Sequence, residues 1–372
     1  MSRQILVDFH PQYLHRFCGA DFGRGYHLDS ELRRRETERI REALYQRFGE
    51  YATLFPAPEP ERTAIEWIGF QPLDFLNAAL GGRLEFSAEE AVWTPDKPLA
   101  YVRTLEDVKR LPDIDWENQW LYQAFLAQYE RQRAQNPELP AEGLQGACSL
   151  GNGRAKLSIH TPYTTAFRLM GESIFELMLL EEEVAFALFR YLYRQYRAQT
   201  EDFCRRVGWK LTQIHFGDCA ATMLSPELFV RSNAAVAREI MEEGRYEGCV
   251  QHSCGPSSHL LEAFQELPRV EEFQLGYGTD LKRARELFPE TKIVAYYTAA
   301  ALLNETPETI RRNLYAMCEA LQDRFVIFGS SIDARTPEEN LRTFFSVAEE
   351  VNRIGNSGEG APPLPAGRSY GE

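Results

Sequence analysis

The segment Val250-Gln251-His252-Ser253-Cys254-Gly255-Pro256 sets an imidazole and a thiol two residues apart at the end of an apolar run. If that run is a β-strand, positions i and i+2 share a face, and His252 and Cys254 stand side by side at the strand's carboxyl end. Catalytic zinc takes three protein ligands of this kind and keeps a fourth position open, so the pair supplies two of the three. The same spacing also describes a buried cysteine beside a hydrogen-bonded histidine. A second group, Ile214-His215-Phe216-Gly217-Asp218-Cys219, closes another apolar run. After it, Ser225 and Pro226 are suited to the N-cap and first turn of a helix. Asp218 then falls at a strand end, where a barrel enzyme gathers its catalytic groups; the alternative is that it caps a loop. Cys219 is either a further ligand or an inert small apolar residue.

Strands and helices in alternation must carry these residues. From Gly143 onward short apolar runs alternate with longer helical stretches, the pattern of βα units. Strands are expected at Leu144–Leu150, Lys156–His160, Leu211–Phe216, Gly248–His252, Glu272–Leu275, Lys292–Tyr296 and Arg324–Phe328. Helices are expected at Glu181–Val207, Pro226–Glu243 and Thr306–Leu321, and one is expected to begin near Ser257 or Ser258. Before Gly143, residues 28–48 read as a helix capped by Asp29 or Ser30, with Ile40, Leu44 and Phe48 on one stripe. Residues 104–134 read as two helices broken at Leu111-Pro112-Asp113, and the prolines of 55–62 make a loop. Such an alternation fits either a barrel or an open doubly wound sheet. No G-x-G-x-x-G follows any of the expected strands, which removes the dinucleotide reading. The tail 356–372 is rich in Gly and Pro and is expected to be disordered.

Composition narrows the class. The 372 residues carry a formal charge of −14 and no basic stripe, which argues against nucleic acid. No apolar run approaches a membrane span, and Met1 to His10 lacks the form of a signal peptide. Seven irregularly spaced cysteines do not make a disulfide framework, so a reducing cytoplasm is the expected home.

Taken in order, these motifs resemble the uroporphyrinogen decarboxylase-like superfamily. The residues that carry the resemblance are Gly217-Asp218 with Leu224-Ser225-Pro226, His252-x-Cys254-Gly255, and Leu303-Asn304-Glu305-Thr306-Pro307-Glu308-Thr309-Ile310. Thr161-Pro162-Tyr163-Thr164 with Leu169-Met170-Gly171 resembles the family's earlier G-P-F-T block. Gly329-Ser330-Ser331-Ile332 with Thr336-Pro337-Glu338-Glu339-Asn340 resembles its last strand and helix. The likeness spans roughly residues 100–350. It implies a (β/α)8 TIM barrel over 63–355, preceded by a helical N-terminal extension over 1–62, with the active site at the carboxyl ends of the strands. Tyr163 stands in the family's aromatic place, where its hydroxyl either reaches substrate or packs.

The family holds two chemistries: decarboxylation of uroporphyrinogen without a cofactor, and methyl transfer between a corrinoid protein and a thiol or another methyl carrier. In the second, zinc held by the H-x-C pair and a later cysteine activates the acceptor. His252-x-Cys254-Gly255 resembles that methyltransferase branch. The later cysteine falls on Ser330, a poor zinc ligand beside thiolates, which leaves Cys219, Asp218 or a water to complete the shell. The decarboxylase's arginine motif is matched only loosely by Arg16 to Arg24. The expectation is therefore a methyltransferase-like enzyme for a small-molecule acceptor. Its catalytic residues would be Asp218, His252 and Tyr163, and its metal ligands His252, Cys254 and Cys219. Zinc is the implied metal, with cobalamin on a partner corrinoid protein. The alternatives are a metal-free decarboxylase or other lyase using Asp218 and His252, and a binding protein that has lost catalysis.

Overall fold

The computed structural model describes residues 3–58, 70–139, 143–145, 148–151 and 154–356. Nine strands form one sheet in the order β1-β9-β8-β7-β6-β5-β4-β3-β2. They are β1 Arg3–Phe9, β2 Gly143–Gln145, β3 Cys148–Gly151, β4 Arg154–His160, β5 Lys210–Gly217, β6 Gly248–Ser253, β7 Val270–Leu275, β8 Lys292–Thr298 and β9 Phe325–Ile332. Seven of them, β1 and β4 to β9, run parallel and curl as the strands of a TIM-like barrel do. β2, β3 and β4 are antiparallel. Among the described residues no strand joins β1 to β4.

Side chains alternate between the two faces of each strand, and the faces differ in chemistry. One face packs under the helices: Leu157 and Ile159 of β4, Ile214 and Phe216 of β5, Phe273 and Leu275 of β7, Ile293 and Tyr297 of β8, and Ile327 of β9 are all buried. The opposite, inner face carries Lys156, Ser158 and His160 of β4, Gln213 and His215 of β5, His252 of β6, and Glu272 and Gln274 of β7. It continues with Lys292 and Tyr296 of β8 and Ser330 of β9. Burial of the apolar face drives the curl; the polar inner face is what the sheet presents for function.

The helices start where the sequence says they should. Asp29 Oδ1 accepts from the amides of Glu31 and Leu32 and caps the helix Ser30–Phe48. Ser225 Oγ accepts from the Leu228 amide ahead of the helical stretch 226–244, which contains a π-turn at Val230–Ala234. The long helix Glu182–Val207 ends at Gly208, whose φ of 73° glycine adopts without strain. Arg285, buried in the helix Leu281–Leu287, donates to the carbonyls of Leu321, Phe288, Pro289, Thr291 and Asp323. It thereby ties two helix ends to the start of β8.

Three expectations are corrected. Residues 3–9, assigned to a helical extension, are a strand of the main sheet. β1 pairs with β9 and is held by Asn352, which accepts from the Ile5 amide at 2.7 Å and donates to its carbonyl at 2.9 Å. A pairing so distant in sequence leaves no local signal. The single strand expected over Leu144–Leu150 is instead the β2–β3 hairpin, since antiparallel neighbours need only a short connection. Between β6 and β7 the helix expected near Ser257 or Ser258 is not an α-helix but two 3₁₀ turns, Ser258–Leu260 and Ala263–Glu266. Residues 59–62 of the Pro-rich loop and 357–372 of the tail lie outside the described residues. Among the described residues no helix is long and apolar enough to cross a membrane.

Candidate metal centre

His252 lies at the inner face of β6, and Cys254 follows just past the strand's end. Across from them, β5 ends at Gly217, which pairs with His252 in register. The Asp218 amide donates to the His252 carbonyl at 2.7 Å, so the loop leaving β5 stays against β6 for one residue more. That contact brings Cys219 over the pair. One ligand atom from each of Cys219, His252 and Cys254 lies within 4.8 Å of the others. Ideal tetrahedral zinc–thiolate geometry separates two sulfurs by about 3.8 Å, so a closure of about 1 Å or less would bring the three into a zinc shell. The donor set, one imidazole nitrogen and two sulfurs, suits zinc.

Electrostatics fit the same purpose. The Cys254 thiol is held well below the usual thiol range, first by the Cys219 thiol beside it and then by the nearby His252 ring, which together outweigh burial. Cys219 is pushed up, first by the Cys254 sulfur and then by burial. The opposite directions make Cys254 the sulfur that ionises first and Cys219 the one that keeps its proton longer.

The other expected site residues lie beside this group and serve its loop. Asp218 is 1% exposed. Its Oδ1 accepts from the Thr161 and Thr164 hydroxyls at 2.8 and 3.0 Å, and its Oδ2 from the Asn233 amide at 2.7 Å. Burial raises its pKa against the pull of those donors. The expectation that Asp218 stands open at the barrel mouth is corrected: as the residue after inward Gly217, it turns under the helices. Tyr163, also buried, donates to the Ala220 carbonyl at 3.3 Å, and the Ala220 amide donates to Thr164 Oγ1 at 3.2 Å. The start of the helix Pro162–Met170 therefore grips the segment 218–220 from three sides, and the residue so fixed is Cys219. Ser330 sits at the end of β9, pairs in register with Thr298, and does not belong to the Cys-His-Cys group. Its neighbour Ser331 has a φ of 53° and donates its amide to Asp8.

Residues that sequence reasoning passed over surround His252. Gln274, its register partner on β7, receives the His252 Nδ1 at 3.0 Å. Tyr296 crosses the His252 ring edge-on at 5.3 Å between centroids. His215, one layer below, lies with its ring tilted 40° to that of His252 at 6.0 Å between centroids, and is driven down to about 3 by burial first and by His252 next. His160, on the far side of Gly217, is held at about 4, again chiefly by burial. Their signal was present as polar residues at alternate positions of otherwise apolar strands, which is where the inner face of a curled sheet declares itself.

No family model matches the sequence, and no curated protein does. Among solved structures, a methyltransferase from Methanosarcina mazei superposes with a TM-score of 0.61 over 94% of each chain, at 15% sequence identity. At that identity the likeness is one of fold. The chain thus shares its fold with that protein and carries a Cys-His-Cys group at the carboxyl ends of its central strands.

Proposed function

We propose that this chain is a methyltransferase built on a (β/α)8 barrel, moving a methyl group between a corrinoid protein and a thiol or other small acceptor. The observation that carries the reading is the meeting of Cys219, His252 and Cys254 at adjoining strand ends. The motif order set out from the sequence and the methyltransferase fold support it. In this reading the three residues hold zinc, and Cys219 takes the place that Ser330 leaves vacant among the ligands. Bound there, zinc would supply the acidifying charge that makes an acceptor thiol a nucleophile at neutral pH.

The chain's own residues do the rest. Cys254, the more acidic of the two thiols, is the readier thiolate, and Cys219 gives up its proton on binding the metal. Asp218, Tyr163 and Thr164 act as positioning residues, because their hydrogen bonds end on the loop of Cys219. The acceptor enters from the strand ends, over which a corrinoid partner would dock. The reading as a metal-free lyase draws less support: it needs Asp218 as a proton carrier, and both oxygens of that carboxylate are engaged. A reducing compartment such as the cytoplasm suits a site of free thiols.

Two measurements test the reading. Protein purified without chelator should carry zinc by elemental analysis and lose it in His252→Ala. The zinc form should consume methylcobalamin in the presence of an acceptor from a thiol panel. Metal-free protein that no added zinc loads, and that is inert with every thiol, would overturn it.

A further inference from the structure

The polar chain behind His252 runs through β7 to β8 and leaves no freedom in its hydrogen bonding. Lys292 Nζ lies 2.7 Å from Glu272 Oε2, and the two residues are register partners. Glu272 is therefore held as a carboxylate, able only to accept. Its other oxygen, Oε1, takes the Nε2–H of Gln274 at 2.7 Å. A side-chain amide has one nitrogen and one oxygen; with the nitrogen committed to Glu272, the oxygen must face the other way. There Gln274 Oε1 meets His252 Nδ1 at 3.0 Å and accepts from the Tyr296 hydroxyl at 3.2 Å. A carbonyl oxygen cannot donate, so the proton of the neutral imidazole must be on Nδ1 and the lone pair on Nε2. Tyr296, packed edge-on against the ring, opposes a ring flip that would turn a C–H toward the amide oxygen.

We propose that Gln274 is a positioning residue that fixes the Nδ1–H tautomer of His252, and that the Lys292–Glu272 pair fixes which face of the Gln274 amide does so. This rests on the reading above only in its consequence, that the bare Nε2 is the atom given to the metal. The general rule that a ligating histidine donates its other nitrogen to an oriented partner applies, but here the partner is a neutral amide with its carboxylate one residue further back. The inner layer of the barrel thereby lends the imidazole a hydrogen bond without placing a second full charge against the two sulfurs.

The test is the tautomer itself, read in metal-free protein above neutral pH by long-range proton–nitrogen spectra of 15N-histidine-labelled chain. The His252 resonance is assigned by its loss in His252→Gln. The wild type should show Nδ1–H. Gln274→Leu should move His252 to the Nε2–H form that imidazole prefers in water, and Glu272→Gln, which lets the amide turn, should give a mixture. The exchange Glu272→Gln with Gln274→Glu keeps one carboxylate and one amide and again sets an acceptor-only group beside Nδ1; it should restore Nδ1–H. A role in packing alone would not separate these variants, and should Gln274→Leu fail to fold, Glu272→Gln and the exchange decide the matter. Nε2–H in the wild type, or Nδ1–H unchanged across Glu272→Gln and Gln274→Leu, overturns the inference. Zinc titration forms a separate arm: Gln274→Leu should weaken binding 10- to 100-fold, roughly the cost of losing such a partner. If zinc does not bind while the Nδ1–H tautomer holds as described, the metal reading fails and the inference stands.

Discussion

Replacing Cys219 by Ser separates a three-ligand site from an H-x-C pair with a bystander. Cys219 lies in the group whose ligand atoms are mutually within 4.8 Å, whereas Ser330 lies outside it. A full structural zinc shell is worth about 10–16 kcal/mol at neutral pH, or about 2.5–4 kcal/mol for each of four ligands. Exchanging a thiolate for a hydroxyl forfeits most of one share, about 3 kcal/mol, which is about 150-fold in Kd. Competitive titration against a chelator of known affinity reads this directly. Binding should also release protons in the wild type, because both sulfurs ligate as thiolates and Cys219 holds its proton the more tightly of the two. Ser330→Cys adds a soft ligand at a nearby strand end and should recover part of the loss in the Cys219→Ser background, most clearly above neutral pH, where thiols ionise. An unchanged Kd in Cys219→Ser, with a gain from Ser330→Cys alone, would show that the third ligand belongs on β9 and that Cys219 is an inert neighbour.

Three further outcomes follow from the same structure. Asp218→Ala removes the acceptor of Thr161, Thr164 and Asn233; at about 1 kcal/mol for each orphaned donor it should cost about 3 kcal/mol in urea unfolding, and a loss under 1 kcal/mol would contradict it. Arg285→Lys keeps the charge but cannot reach five carbonyls at once, so it should destabilise by about 3 kcal/mol, nearly as much as Arg285→Met; a neutral Lys variant would refute the role of the planar fork. His27, buried among Tyr26, Phe70 and Phe86, is held at about 4 by burial. It binds its proton more weakly folded than unfolded, so its stability is complete above the ordinary histidine value of about 6.5 and is lost as pH falls from there through 4, up to about 1.4 kcal/mol per pH unit. His27→Phe should flatten that part of the stability–pH curve, and an equal slope in both proteins would count against it.

The parts of this fold governed by local chemistry were legible in the sequence. Strands β4 to β9 follow apolar runs bounded by polar residues, and the helix starts at Asp29, Ser225 and Thr306 follow cap preferences that act within three residues. The H-x-C pair could be placed at a strand end because side-chain alternation fixes it. Distant pairings were not legible: β1 needs β9 to exist, and its seven residues carry no period of their own. Nor was the fate of Asp218. The sequence puts it one residue past an inner-face glycine, and that single step turns its carboxylate toward Thr161 and Asn233 instead of the mouth. Gln274 and Glu272 read as ordinary strand polars, because their meaning lies in register with His252 and Lys292 on neighbouring strands.

The clasp between Ile5 and Asn352 joins positions 347 residues apart. Synthesis at roughly 5–20 residues per second separates them by about 20–70 s. Throughout that interval the earliest strand of the sequence leaves the ribosome with its backbone groups unpaired, and so does the edge that will receive it. An unpaired strand of this kind is open to the wrong partner, and chaperone binding should be concentrated on nascent chains that have not yet delivered β9. The joining of β1 to β9 is then a late event in the life of the molecule, set by the pace of translation more than by the speed at which its helices form.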